Sequence, residues 1–361
     1  MKISGSQIFW IVATVEVVMS IWLCIMPVIE ISKQDAWLSV LIGSVIGLAI
    51  TYLVVHLSVI HPNQTLVEFS QALLGKWFGR MIVLPYFIAW YTLSAVVLRS
   101  FGDFIHLVAL DRTPVWIIMI LIVGLMIYLT YSGGITGIGR FSQIVGPILF
   151  LTLFVSFILS IGNVRWHHLL PVYADSGWLN ILKGSIPAAS YLGESFFLLA
   201  IVSFMHNPQK APLRSMIGVG LTAFIILITT IMVILVFGPN FSVNLRFPYF
   251  MLIRSIDILN FIQNVDLFVI FVWIYGMFAK LSLYLFITSY EAANWLNVKD
   301  WRRIIWFGAP AIFIMAILVP NETFLSIYPK FWEFGIIPVC GIVLPLLLLI
   351  ISMVKKKSVK L

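Results

Sequence analysis

Glu194 sits in the middle of ASYLGESFF (residues 189–197), inside an apolar run, beside Gly193 and two turns after Pro187. A charged side chain at the centre of a membrane helix costs about 2.5 kcal/mol or more, so an acid kept there is a functional candidate by default. It could hold a ligand ammonium group, gate water or carry a proton. It could equally pair with a buried base and only join helices, which is weak grounds for stability. Lys280, inside the apolar segment FAKLSLYL (278–285), is the base at similar depth. It reads either as a counter-ion for Glu194 or as a fixed cation in the place of a coupling sodium ion. Glu16 reads as an interhelical polar contact as readily as a functional group. Arg99 and Asp103 are four residues apart, share a helix face and read as an outer-half ion pair. Asp266 opens a span, where it meets water or caps the helix. No nucleophile is paired with a base, so no catalytic residue is expected. Cys24 and Cys340 stand alone in apolar runs, without disulfide or metal spacing, so neither metal nor cofactor is expected.

The solvent for these groups follows from composition. The chain has 361 residues, 61% hydrophobic and only 10% charged, with mean hydropathy +1.08. A soluble domain carries about a quarter of its residues as charges. In lipid every backbone polar group is satisfied internally, and apolar runs of roughly 20 residues without period-two alternation select helices over a barrel. Ten spans are predicted, at about 8–29, 36–60, 81–107, 114–131, 143–162, 182–204, 213–237, 266–290, 303–319 and 334–354. The first is too long, and too closely followed by a second, for a cleaved signal peptide. With the N-terminus in the cytoplasm, thirteen lysines and arginines lie on internal segments and seven on external ones, so both termini face inward. The net charge of +8 sets topology in this way and is not a nucleic-acid signal. Trp10, Trp37, Trp116, Trp178 and Trp301 fall near span ends, as interface anchors do.

Two amphipathic stretches, 64–79 and 253–264, lie between spans two and three and between spans seven and eight. The first is internal and the second external, so a shift of five spans maps one on the other with inverted side, as a five-plus-five inverted repeat requires. The repeats would run about 8–162 and about 182–354. Spans one and six of such folds are broken near the midplane, where freed backbone groups line a ligand cavity. In span six Gly184, Pro187 and Gly193 weaken the helix, and Ser190, Tyr191 and Ser195 can re-satisfy it. In span one Ser20 lies near mid-depth and Pro27 near the outer end. Together with Cys24, and with Tyr91 if span three turns it to the cavity rather than into packing, these give the ligand-site candidates Ser20, Cys24, Tyr91, Ser190, Tyr191, Gly193 and Glu194, with Lys280 as gate or counter-charge. GGITGIG (133–139) reads as a short internal loop after span four, not as a phosphate cradle, since it joins no strand to a helix.

The order of ISGSQIFW, DAWLSVLIG, TLVEFSQALLGKWFGR, TPVWII, GITGIGR, LLP (169–171), LGE (192–194) and FAKLSLYL along the chain resembles the B subunit of bacterial spore germinant receptors, a branch of the amino acid–polyamine–organocation superfamily. The resemblance implies a LeuT-like fold of ten helices with the ligand between helices one, three, six and eight. It implies a nutrient sensor, often for an amino acid, in the inner membrane of a dormant spore, with an A subunit and a lipoprotein C subunit as partners. Glu194 falls on that family's Gly-Glu position in span six and Lys280 on its span-eight lysine. In span one Met19 stands before Ser20, where the family commonly has a small residue. An amino acid permease, proton-coupled or uncoupled, and an ion or water conduit are the other functions the same fold serves.

Overall fold

The computed structural model describes residues 1–173, 176–256, 265–319 and 322–358, with the backbone alone at 265–268, 271, 322–326 and 356–358. Eight helical stretches among them are long and apolar enough to cross a membrane. One of these, Val115–Asn163, folds back on itself, and the 17-residue helix Arg302–Leu318 adds a further crossing. The ten spans run as follows. Span one is Gly5–Leu23 with Ile25–Ser32, span two Ala36–Ile60 and span three Lys76–Val108. Spans four and five divide Val115–Ser160 at Gly134, and span six runs from Gly177 to Phe204. Span seven is Ala211–Phe237, span eight Val265–Leu296 and span nine Arg302–Leu318. Span ten continues from Glu322 to Ser358.

Three boundaries differ from the expectation, each for a local reason. The glycine-rich loop is not a loop. Helix continues on both sides of Gly134, which alone reverses the chain at φ 52°, ψ −153°, a conformation only glycine adopts without strain. The first amphipathic stretch ends at Leu74. Gly75, at φ 82°, turns the chain, and span three begins at once with Lys76 instead of near 81. Span ten starts before 334, so Lys330 and Glu333 are helical, the first exposed and the second half-buried. Of the second amphipathic stretch, only 253–254 fall in a described helix, as the end of Pro248–Arg254, and 257–264 lie outside the described residues, as does the side chain of Asp266.

The N-terminal end is tied shut. Ser4 caps span one in a capping box with Gln7. Ile3 pairs with the strand-like tail of span six, donating to Phe204 O at 2.7 Å and accepting from His206 N at 3.0 Å. Lys2 Nζ reaches Asn63 Oδ1 at 3.1 Å and Ser203 O at 3.3 Å. At the same end, Glu291 of span eight accepts from Thr65 Oγ1 and Val67 N, both at 3.2 Å, and so docks the amphipathic helix Leu66–Leu74.

Span six leans on span two through small residues. Gly43 and Gly47 face Ala188 and Leu192 so closely that a Cβ on either would overlap them. Hydroxyls continue the seam: Ser39 Oγ donates to Ile181 O at 2.8 Å, and Thr51 Oγ1 meets Ser195 Oγ at 2.8 Å. Lipid provides no hydrophobic drive between helices, so close backbone approach and such bonds are what hold them.

Candidate functional site

Span six is α-helical to Leu192, tightens to 3₁₀ over Gly193–Phe197, and regains a single α-turn at Leu198–Ile201. The tightening begins at the glycine, and Thr51 steadies it from span two. Glu194 lies on this irregular stretch and is fully buried. Lys280 Nζ stands 2.6 Å from its Oε1 and 2.8 Å from its Oε2. Tyr284 donates its hydroxyl to Oε1 at 2.5 Å. Lys280 Nζ also donates to Val15 O of span one at 3.2 Å, and two turns earlier on span eight Trp273 Nε1 donates to Val18 O at 3.1 Å. One lysine therefore bolts spans one, six and eight together. Charge-assisted bonds of this kind are roughly twice as strong as neutral ones.

Glu16 is the third charged group here. It is fully buried, its charge acts on both Glu194 and Lys280, and among the described residues neither of its carboxyl oxygens meets a partner. Two acids and one base thus share a buried site.

The structure brings Glu194, Gly193 and Lys280 together, with Lys280 in the counter-ion position, one of the two readings open to it. Ser20 and Ser190 are buried with their hydroxyls turned into their own helices: Ser20 Oγ donates to Glu16 O at 2.7 Å, and Ser190 Oγ to Pro187 O at 2.8 Å. Cys24 is buried at the interruption of span one, a single residue with α-helical angles across which the bonds continue, Cys24 N to Ser20 O at 3.0 Å and Val28 N to Cys24 O at 3.3 Å. Tyr191 is buried beside Met19 and Trp332. Tyr91 lies elsewhere: its hydroxyl points to Gly308 of span nine and Thr288 of span eight. The Arg99–Asp103 pair forms as read, with Arg99 Nε 2.9 Å from Oδ2. Tyr284 was not singled out, although its position four residues after Lys280 placed it on the same face of span eight.

A cavity of about 480 Å³ lies at the end of the bundle away from the N-terminus. Its rim carries exposed Glu30, Arg246 and Lys330, and Glu333 of span ten is half-buried in its wall. Its floor includes Trp22, Leu23 and Tyr328. Trp22 is stacked on Trp273 at 4.1 Å and packed on Phe247 at 4.2 Å. Next to the cavity, Met19, Tyr191 and Trp332 line a smaller void that shares Leu23 and Tyr328 with it.

With this geometry in view, the likenesses to known proteins are specific. A family model described as "Spore germination protein" matches residues 2–325. "Spore germination protein YndE" of Bacillus subtilis is 27% identical over 333 residues, covering 92% of this chain and 90% of that one. "Spore germination protein KB" of the same organism is 26% identical, covering 91% and 89%. Among solved structures, a Na⁺-coupled sialic acid symporter in a substrate-bound outward-open state aligns with TM-score 0.70 at 12% identity, over 94% of this chain and 79% of that one. MhsT in complex with L-phenylalanine aligns with TM-score 0.66 at 14% identity, over 97% of each chain. At such identities the structural likeness establishes the LeuT-like fold alone.

Proposed function

The chain belongs to the spore germination protein family, an integral membrane protein on a transporter fold, and from that premise we propose that it is the nutrient-sensing membrane subunit of a spore germinant receptor. The nutrient is an amino acid held at the midplane between spans one, three, six and eight. The site is drawn from Ser20, Cys24, Ser190, Tyr191, Gly193 and Glu194, with Lys280 as the counter-charge that gates it. The protein sits in the inner membrane of the spore with both termini cytoplasmic, as two inverted repeats of about 8–162 and 182–354. An A subunit and a lipoprotein C subunit read its change of state.

The observation that carries this reading is the bolt from Glu194 to Lys280, Tyr284 and Val15 O. A ligand shifts an equilibrium only through its differential affinity for two states. A charged contact that joins the irregular stretch of span six to spans one and eight differs between a closed and an opened bundle. A ligand that competes for those partners therefore biases the bundle. An amino acid permease is the second reading, favoured by the substrate-bound transporters that share the fold. Spores lacking the protein should lose response to one nutrient, and reconstituted protein should not concentrate labelled amino acids. Concentrative uptake together with normal germination would overturn the sensing reading in favour of the permease.

Within the site, Glu194→Gln is expected to raise the nutrient concentration for half-maximal germination by roughly tenfold or more, the equivalent of about 1.4 kcal/mol. Glu16→Gln, which loses no bond, should shift it less. Equal shifts at equal protein levels would remove the special role of Glu194.

A further inference from the structure

The outer cavity has a composition that the midplane site does not explain. Its size lies in the range of small-molecule pockets, about 300–1,000 Å³. Its floor is aromatic and aliphatic, and its four charged groups are two acids, Glu30 and Glu333, and two bases, Arg246 and Lys330. A cavity for an anion or a cation alone would carry one sign. One of balanced sign over an apolar floor suits a zwitterion with an apolar body.

The four charges are not equivalent. Glu30, Lys330 and Arg246 are all exposed at the rim, where screening weakens a single charge, and of the three Arg246 alone is a guanidinium. Glu333 is half-buried and close enough to Cys24 and Tyr191 for its charge to act on both. It is the second residue of a π-helical stretch, Trp332–Val343, and such stretches concentrate at functional sites. Arg246 lies beside Phe247, with its guanidinium carbon 5.1 Å from the ring centre, and Phe247 packs on Trp22. A guanidinium presents a planar fork that matches a carboxylate in two bonds, which an ammonium does not.

We propose that this cavity is an entry site for α-amino acids with apolar side chains, in which Glu333 receives the ammonium group, Arg246 the carboxylate, and the Trp22–Phe247 floor the side chain. Tyr191 and Trp332, which line the adjoining void, are then the side chains the ligand displaces on its way to Glu194. This deepens the sensing proposal and rests on it for the biological consequence, while binding itself is measured without it.

The test uses the purified full chain in detergent. Binding is measured by calorimetry for L-valine, L-leucine and L-phenylalanine, each beside its amide and its deamino acid. At least one of the three amino acids should bind tenfold or more tighter than both of its derivatives. Arg246→Gln should remove the preference over the amide and keep that over the deamino acid. Glu333→Gln should do the reverse. Arg254→Gln, an exposed arginine at the same end and outside the cavity, should change neither preference, and cooperative melting of each variant excludes misfolding. The site is refuted if no amino acid of the three binds in the millimolar range to well-folded protein, or if the two variants lower binding of all three compounds alike. Failure of binding with a germination defect sinks the cavity and leaves the sensor. Binding by a protein whose loss leaves germination normal does the opposite.

Discussion

Lys280→Met should be among the most damaging single changes in this protein, and Lys280→Met combined with Glu194→Gln should be milder than Lys280→Met alone. The single change removes the cation and leaves the Glu194 carboxylate buried with, among the described residues, the Tyr284 hydroxyl as its one remaining side-chain partner. Breaking a buried pair from one side costs about 3–5 kcal/mol, because an uncompensated charge stays behind. The double change replaces the whole pair by neutral groups, a class of substitution that is often close to neutral. The double variant does lose the Lys280 bond to Val15 O, so recovery should fall short of wild type by the worth of one such contact. Thermal melting in detergent of wild type, both single variants and the double variant closes the cycle. Damage that adds, with no recovery in the double variant, would mean that the pair does not hold the bundle.

The parts of this picture that composition and depth control were readable from the chain. Lipid as solvent follows from 10% charge and the spans from run length, whereas charge and depth single out Glu194 and Lys280 without deciding whether they meet each other, a ligand or a water path. Direction is what sequence handles poorly. Tyr91 sits at the depth expected, but a helix offers several faces, and this one turns its hydroxyl to Gly308. Ser20 and Ser190 are buried, yet each bonds a carbonyl of its own helix, because a hydroxyl away from water takes a near backbone acceptor. The cavity wall is hidden for another reason: Lys330 and Glu333 precede the apolar run expected at 334–354, and the helix of span ten begins ahead of them. The seam between spans two and six was in plain view as Gly43 and Gly47, four residues apart, but small residues at that spacing gain meaning only when the partner helix is known.

That seam gives a prediction in which one chemical change has two signs. Gly47→Ala is expected to destabilise the protein, and Gly220→Ala to leave it unchanged or more stable. Both glycines lie inside long helices, spans two and seven. In an exposed helix interior alanine is better than glycine by about 1 kcal/mol. At Gly220 a Cβ meets nothing within 4 Å, so that gain is kept. At Gly47 the new Cβ would overlap Leu192, the last α-helical residue before the 3₁₀ stretch that bears Glu194. Relief requires span six to move off span two. Forcing extra carbon into packed contacts costs typically about 1–3 kcal/mol, more than the propensity gain. Gly43→Ala should behave like Gly47→Ala, since its Cβ would stand 2.6 Å from that of Ala188 and 2.7 Å from Ser185 O. The displacement is directed at the site, because Thr51, one turn beyond Gly47 on the same face, holds Ser195 by its hydroxyl. Melting temperatures should therefore fall for Gly43→Ala and Gly47→Ala and hold or rise for Gly220→Ala. Nutrient response should follow melting in the first two and stay normal in the third. If all three variants melt alike, spans two and six are not in the close contact that sets the position of Glu194.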